Sequence, residues 1–370
     1  MLAGYWAGVP AVAAQARGVP RALWRRFVRY EFVDLPPRQV RGRPLVPALR
    51  RFGRRLPRRA ALEIDFLACR LFDRWVARHL GEVEADAVVA CEISALEALR
   101  AAKARGLTAI LDAPSSHHQA QDRRHGTADP PGLHRRIARV KDAEIELADH
   151  VLTVSEMARE TYLEAGCPPR KVHALTLGAD LDLFAPAPGG DRAEEFTFLF
   201  AGAPAQHKGF DLLAKAFASV AAEEDRARLR VVGETANAAP FLRGLPARSY
   251  ALAPATDQPG LAAEMRGADC LVLPSRNDAY GMVVPEALAC GTPVLVSDMV
   301  GAKSLIASGG GWIVPSGDVA ALAERMLWCV RHAAEVRALR PRCRELAAAA
   351  TWPAYHARLA TLLAELVPTT

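Results

Sequence analysis

Two carboxylates, Asp278 and Glu286, stand eight positions apart in the run Asp278-Ala279-Tyr280-Gly281-Met282-Val283-Val284-Pro285-Glu286. The apolar residues Cys270 to Leu273 precede the pair and Ala287-Leu288-Ala289-Cys290-Gly291 follows it, so it brackets the passage from a buried strand through a loop into a helix. In open α/β sheets that passage is where ligands bind. Pro285 is tolerated only in a first helical turn, while Gly291 and Pro293 stop the segment, which puts the helix start near Gly281 or Met282. The first amide groups of such a helix lack intrahelical partners and carry the positive end of its dipole, so a diphosphate can rest on them without a metal or a lysine. Asp278 and Glu286 then offer acceptors for hydroxyl groups on either side, a pattern that suits a nucleotide sugar. The competing reading is structural: Asp278 caps the helix and Glu286 is a solvated helix residue.

A second unit repeats the layout. Phe196 to Ala201 reads as a strand, Gly202-Ala203-Pro204-Ala205-Gln206-His207-Lys208-Gly209-Phe210 as a loop, and Asp211 to Val220 as an apolar periodic helix. Lys208 then stands at the carboxyl end of the strand, where a phosphate-binding charge belongs. A single Lys-Gly pair is weak by itself, because most lysines are solvated.

Taken in order and spacing, Phe198-Leu199-Phe200-Ala201-Gly202, Lys208-Gly209, Pro274-Ser275, the Asp278 to Glu286 unit, Ala289-Cys290-Gly291-Thr292-Pro293-Val294 and Gly317-Asp318 resemble the second domain of retaining family four glycosyltransferases. The likeness extends back through Ala148-Asp149-His150-Val151-Leu152-Thr153-Val154-Ser155-Glu156 and Gly178-Ala179-Asp180-Leu181-Asp182-Leu183-Phe184, covering roughly residues 85 to 365. It implies the GT-B fold, an α/β architecture of two Rossmann-like, doubly wound parallel-sheet domains facing a central cleft. It also implies a sugar nucleotide as donor, a saccharide or lipid-linked acceptor, and no metal or other cofactor.

By the same resemblance Glu286 binds ribose hydroxyls, Asp278 holds hydroxyls of the donor sugar, and Gly281, Met282 and Val283 offer backbone N–H groups to the phosphates. Lys208 neutralises the diphosphate beside Gly202, and His117, in the first-domain loop Asp112-Ala113-Pro114-Ser115-Ser116-His117-His118-Gln119, sits near the donor phosphate and sugar. Two positions depart from the family pattern. Asp278 stands where the family has glutamate, which keeps the charge and shortens the reach. Ala203 stands where many relatives carry an arginine that also grips the diphosphate, so Lys208 and the helix N-terminus take more of the leaving-group charge or another arginine supplies it.

The elements that must position these residues alternate along the chain. A helix spans 62 to 80, short strands are expected at Ala87 to Ala90 and Thr108 to Leu111, and a helix lies between them from Leu96 to Arg105. The stretch after Gln119, through Gly132, reads as polar and mobile. Strands follow at Val151 to Val154 and Val172 to Leu177, with Ser155 as a helix cap. Strands separated by helices imply parallel sheets. Pro186 to Gly190 is the best linker. The expected division is an acceptor-side domain over 1–187, a nucleotide-sugar domain over 191–348, and a terminal segment over 349–370, with a helix near Trp352 to Leu366 crossing back to the first domain.

Length and composition fit two domains: 370 residues, 51% hydrophobic. No apolar run reaches the roughly 20 residues of a membrane span, and no leader pattern opens the chain, so a cytoplasmic protein is expected. Seven scattered cysteines, without metal spacing, read as buried free thiols. Residues 1–60 hold fourteen arginines against Glu31 and Asp34, a balance of +12 in a chain whose total is +6, so the remainder carries about −6. With Trp24, Phe27, Tyr30 and Phe32 interleaved, this lobe suits peripheral contact with an anionic membrane surface, and an arginine bias from a GC-rich genome accounts for it equally. No base-reading motif points to nucleic acid.

Metal binding is not expected. Adjacent His117 and His118 share an ion poorly, and Asp180-Leu181-Asp182 falls in the segment matching the family's Gly-x-Asp region, unlike the metal-binding triplet of GT-A enzymes. The amino terminus departs most: residues 1–20 offer Ala-rich segments with Gly4, Gly8 and Gly18 where relatives open with a buried strand, which implies either a degenerate strand or a late start. Two other classes stay open, a GT-B-like epimerase or phosphorylase using the same cleft and a non-catalytic membrane or partner-binding relative.

Overall fold

The structure, a computed structural model, describes residues 5–7, 40–42, 45–53, 55–126, 130–186 and 194–367. Most of the basic segment 1–60 lies outside the described residues, and with it the expected contact to a lipid surface. So do the residues of the expected linker beyond Pro186. Strands β1 (Tyr5–Ala7) and β2 (Val40–Gly42) form a parallel pair.

The first large sheet is four-stranded and parallel, in the order β3 (Ala87–Cys91), β4 (Thr108–Ala113), β5 (His150–Thr153) and β6 (Val172–Ala174). Its core gathers Leu99, Leu111, Val151 and Tyr162. Glu144, fully buried on the helix Pro131–Leu147, accepts from the amides of Ile93, Ala95 and Leu96 at 2.7, 2.9 and 3.1 Å and so caps the start of the helix Leu96–Ala104. Asp73 accepts from the next two amides, Glu97 and Ala98, at 2.9 Å each. Burial raises the carboxyls of both, that of Glu144 to about 7.

The second sheet has six parallel strands. β7 (Phe196–Ala201), β8 (Ala227–Gly233) and β9 (Tyr250–Pro254) run to one side, and β10 (Cys270–Leu273), β11 (Val294–Ser297) and β12 (Gly311–Val314) to the other, giving β12-β11-β10-β7-β8-β9. The order reverses between β7 and β10, which pair through Cys270 with Phe198 and Leu271 with Leu199. β10 is buried along its whole length because helices cover both faces of a parallel sheet, and its sequence is accordingly a continuous apolar run. Phe198 meets Phe217, and Phe200 meets Phe210, edge to face at 6.5 and 4.9 Å between ring centroids, tying β7 to the helix Phe210–Glu223.

Several expectations shift by a residue or two. The helix expected from 62 spans Arg58–His79, and β6 stops at Ala174, leaving 175–178 to run toward the cleft. The stretch after Gln119 is not a bare loop: His118–His125 forms a helix and the next begins at Pro131. The terminal helix is Trp352–Leu366, preceded by a parallel bridge between Ala179 and Thr351 and followed back to the first domain by Arg358, which donates to the Thr176 carbonyl at 2.9 Å. All seven cysteines are free; five are buried, whereas Cys91 is exposed and Cys167 half-buried. No helix among the described residues is long and apolar enough to cross a membrane.

Candidate functional site

At the switch point the loops after β7 and β10 come together, as open sheets require. Gly209 makes that approach possible. Its φ is +68°, and a Cβ there would lie 1.9 Å from the Pro274 carbonyl oxygen. Arg276 then ties the loops, with a bidentate pair to Asp211 at 2.6 and 2.8 Å and its amide on the His207 carbonyl at 2.9 Å. Burial and hydrogen bonding to Arg276 act in opposite senses on Asp211, and the guanidinium prevails, holding the carboxyl below its ordinary range.

Lys208 and Asp278 meet across this junction at 2.7 Å. The loop bearing Asp278 is held by its amide on Met299 O and by Gly301 donating to its carbonyl, both 2.9 Å. Gly281, with φ +87°, turns the chain into the helix Val283–Ala289, whose start has no side-chain cap. Asp278 therefore does not cap the helix. Among the described residues, the amides of Gly281, Met282 and Val283 donate to no protein acceptor.

Glu286 lies one turn into this helix and is half-buried. No hydrogen bond or ion pair among the described residues engages its carboxyl, and burial pushes it up to about 7. It is thus not a solvated surface residue, and the structural reading of the two carboxylates fails at both positions.

A cavity of about 650 Å³ opens between the two domains. Gly202, Lys208, Asp278, Gly281, Met282 and Val283 line one wall, and Pro114, Ser115, Ser116, Gln121, Val154 and Leu177 the other. Of four consecutive residues, Asn277, Ala279 and Tyr280 bridge the walls, while Asp278 stays with its own. Asn277 Oδ1 accepts from Arg124 at 2.9 Å and Ser116 at 3.3 Å, Asp278 holds Lys208, the Ala279 carbonyl accepts from Ser155 at 2.5 Å, and the Tyr280 hydroxyl donates to the Leu177 carbonyl at 2.6 Å.

His117 is not brought into this group. Its ring is 4% exposed, packs edge-on against Tyr162 at 5.1 Å and stacks on His118 at 4.5 Å, while its Nδ1 accepts from the Gln119 amide to start the helix His118–His125. Burial, reinforced by His118, pushes its pKa down to about 4, so it is a neutral imidazole near pH 7. His118 Nε2 meets Asp142 Oδ1 at 2.6 Å. His117, His118 and Asp142 are the set among the described residues whose ligand atoms all lie within 4.8 Å of one another, yet the 2.6 Å contact is a hydrogen bond that would have to open for one ion to take all three. Asp180 serves its own turn, accepting from the amides of Asp182 and Leu183 at 3.0 and 3.1 Å.

Residues 195–332 match the family model described as Glycosyl transferases group 1. Similar curated proteins include a D-inositol 3-phosphate glycosyltransferase of Jonesia denitrificans, 32% identical over 217 residues, 50% of each chain. A D-inositol 3-phosphate glycosyltransferase 1 of Catenulispora acidiphila is 31% identical over 237 residues, 57% of this chain and 56% of its own. The chain thus spans about half the length of the curated relatives it matches. Among solved structures, sucrose-phosphate synthase from Thermosynechococcus elongatus aligns with a TM-score of 0.69 at 23% identity, over 84% of this chain and 80% of that one. Anabaena HepE in complex with UDP and glucose aligns at 0.65 and 17% identity, over 79% and 81%. These structural likenesses establish the shared two-domain fold.

Proposed function

We propose that this chain, whose residues 195–332 form a Glycosyl transferases group 1 domain within a GT-B fold, transfers a sugar from a nucleotide-diphosphate sugar to a saccharide or lipid-linked acceptor. The transfer retains anomeric configuration, needs no metal, and serves cell-surface polysaccharide or glycolipid synthesis on the cytoplasmic side. The observation that carries this reading is the meeting of Lys208 and Asp278 at the switch point, beside three free amides.

In this reading the nucleoside end lies along the helix Val283–Ala289 with its ribose hydroxyls on Glu286, and the diphosphate lies on the 281–283 amides and Lys208. Asp278 receives hydroxyls of the sugar. Its pairing with Lys208 leaves it poorly placed to attack carbon, which favours a front-face displacement. The anomeric carbon parts from the phosphate oxygen, the acceptor oxygen bonds on the same face, and the acceptor proton passes to the departing phosphate. The protein positions the reactants and screens developing charge.

The test is a thermal-shift panel of uridine, guanosine and adenosine diphosphate sugars on the whole chain, followed by transfer assays with the donor that binds. One donor class raises the melting temperature, and Lys208→Ala and Glu286→Ala abolish both binding and transfer while the unliganded fold persists. Normal turnover in either variant removes the assignment. Turnover without an acceptor, or only with free phosphate, assigns the cleft to an epimerase or a phosphorylase instead.

A further inference from the structure

We infer that Arg124, reaching across from the first domain, supplies the second positive charge of the donor-diphosphate site. The inference rests on the donor reading above and names the group that takes the place left by Ala203. Ala203 is exposed on the loop after β7 and carries no charge. Among the described residues lining the cavity, Lys208 is the single lysine or arginine, and its charge is already matched by Asp278 at 2.7 Å. A diphosphate entering there would have to share that one lysine with Asp278.

Arg124 is half-buried on the helix His118–His125, one turn beyond the cavity-lining Gln121. Its neighbours are partnered within their own domain: Asp122 meets His134 at 2.9 Å and Arg123 meets Glu164 at 3.4 Å. Arg124 instead crosses the cleft. Its Nη1 donates to Asn277 Oδ1 at 2.9 Å, and no carboxylate among the described residues pairs with it. Asn277, 9% exposed, directly precedes Asp278, so the two cations reach adjacent residues from opposite walls. A neutral amide occupies one of five guanidinium donors and leaves a fork free for phosphate oxygens, the geometry arginine offers best.

The whole chain is titrated calorimetrically with UDP, GDP and ADP at fixed pH and low salt. Arg124→Gln weakens the diphosphate that binds by roughly 10- to 100-fold, the range for a charge-assisted contact. Arg124→Lys keeps the charge without the fork and recovers only part of that loss, and Asn277→Ala stays within about a factor of three of wild type. Unliganded melting temperatures remain at the wild-type value in all three. Wild-type affinity in Arg124→Gln overturns the inference. So does an equal loss in Asn277→Ala, which makes the arginine a strut between domains. Failure of the wild type to bind any of the diphosphates defeats the donor reading itself, and this assignment with it.

Discussion

Replacing Glu286 with glutamine is expected to stabilise the protein and weaken the donor together. Burial raises the Glu286 carboxyl from its ordinary 4.5 to about 7. At about 1.4 kcal/mol per unit, an ionised Glu286 costs the fold about 3 kcal/mol above neutral pH. The sign follows from a folded pKa above the unfolded one: the stability linked to this group is complete below about pH 4.5 and is lost as pH rises to about 7. Glu286→Gln removes the penalty, so at pH 8 it melts higher by up to roughly 6 to 12 °C, while at pH 4 the two proteins melt together. Affinity moves the other way. Ribose hydroxyls donate to the ionised carboxylate, whose population rises about tenfold between pH 6 and 8. Wild-type affinity for a sugar nucleotide therefore tightens by about that factor over this interval, a range in which the ligand's diphosphate diester does not titrate. The glutamine variant shows no such slope and binds at least about tenfold more weakly at pH 8. Fluorimetric melts at pH 4 and 8, with calorimetric titrations at pH 6 and 8, check both halves. A pH slope surviving in the variant refutes Glu286 as the ribose acceptor, and equal melting at pH 8 refutes the buried charge.

Lys208→Met strips the diphosphate cation and leaves Asp278 without its partner, so the turnover number with a sugar nucleotide falls at least about 100-fold; steady-state kinetics would show the idea wrong if the loss were under tenfold. Gly209→Ala drives a methyl into the Pro274 carbonyl at positive φ and costs more than about 2 kcal/mol, read from the urea midpoint. Glu144→Ala strands the buried amides of Ala95 and Leu96 and the half-buried amide of Ile93, and costs about 3 kcal/mol or more in urea unfolding, with Glu144→Gln recovering part because it keeps one acceptor oxygen.

The two strand-loop-helix units of the second domain were legible because their punctuation is strong. Continuous apolar runs at β7 and β10, glycines at the forced positive-φ positions and Pro285 in a first helical turn are each compatible with few alternative backbone conformations. Spacing left open whether Glu286 was solvated, since burial depends on neighbours far away in sequence. The helix His118–His125 was illegible for the opposite reason. His-Gln-Ala-Gln-Asp-Arg-Arg-His has no apolar face, and tertiary partners such as Asp142 and Asn277 hold it. The same dependence turned the His117 ring toward Tyr162 rather than the cavity, because a side chain's direction follows packing. Asn277 carries no local signal although it adjoins Asp278; its role depends on Arg124, 153 positions away.

The bridge between Ala179 and Thr351 sets the segment that leaves the first domain beside the segment that returns to it. Two backbones crossing side by side act like the paired cords of a book's spine: they would let the covers hinge but resist spinning or sliding past each other. Any opening of the cleft about this pair would return Arg124 to Asn277 and Ser155 to Ala279 in the same register. A chain cut before Trp352 keeps both covers and loses one cord, turning a guided swing into a loose tether.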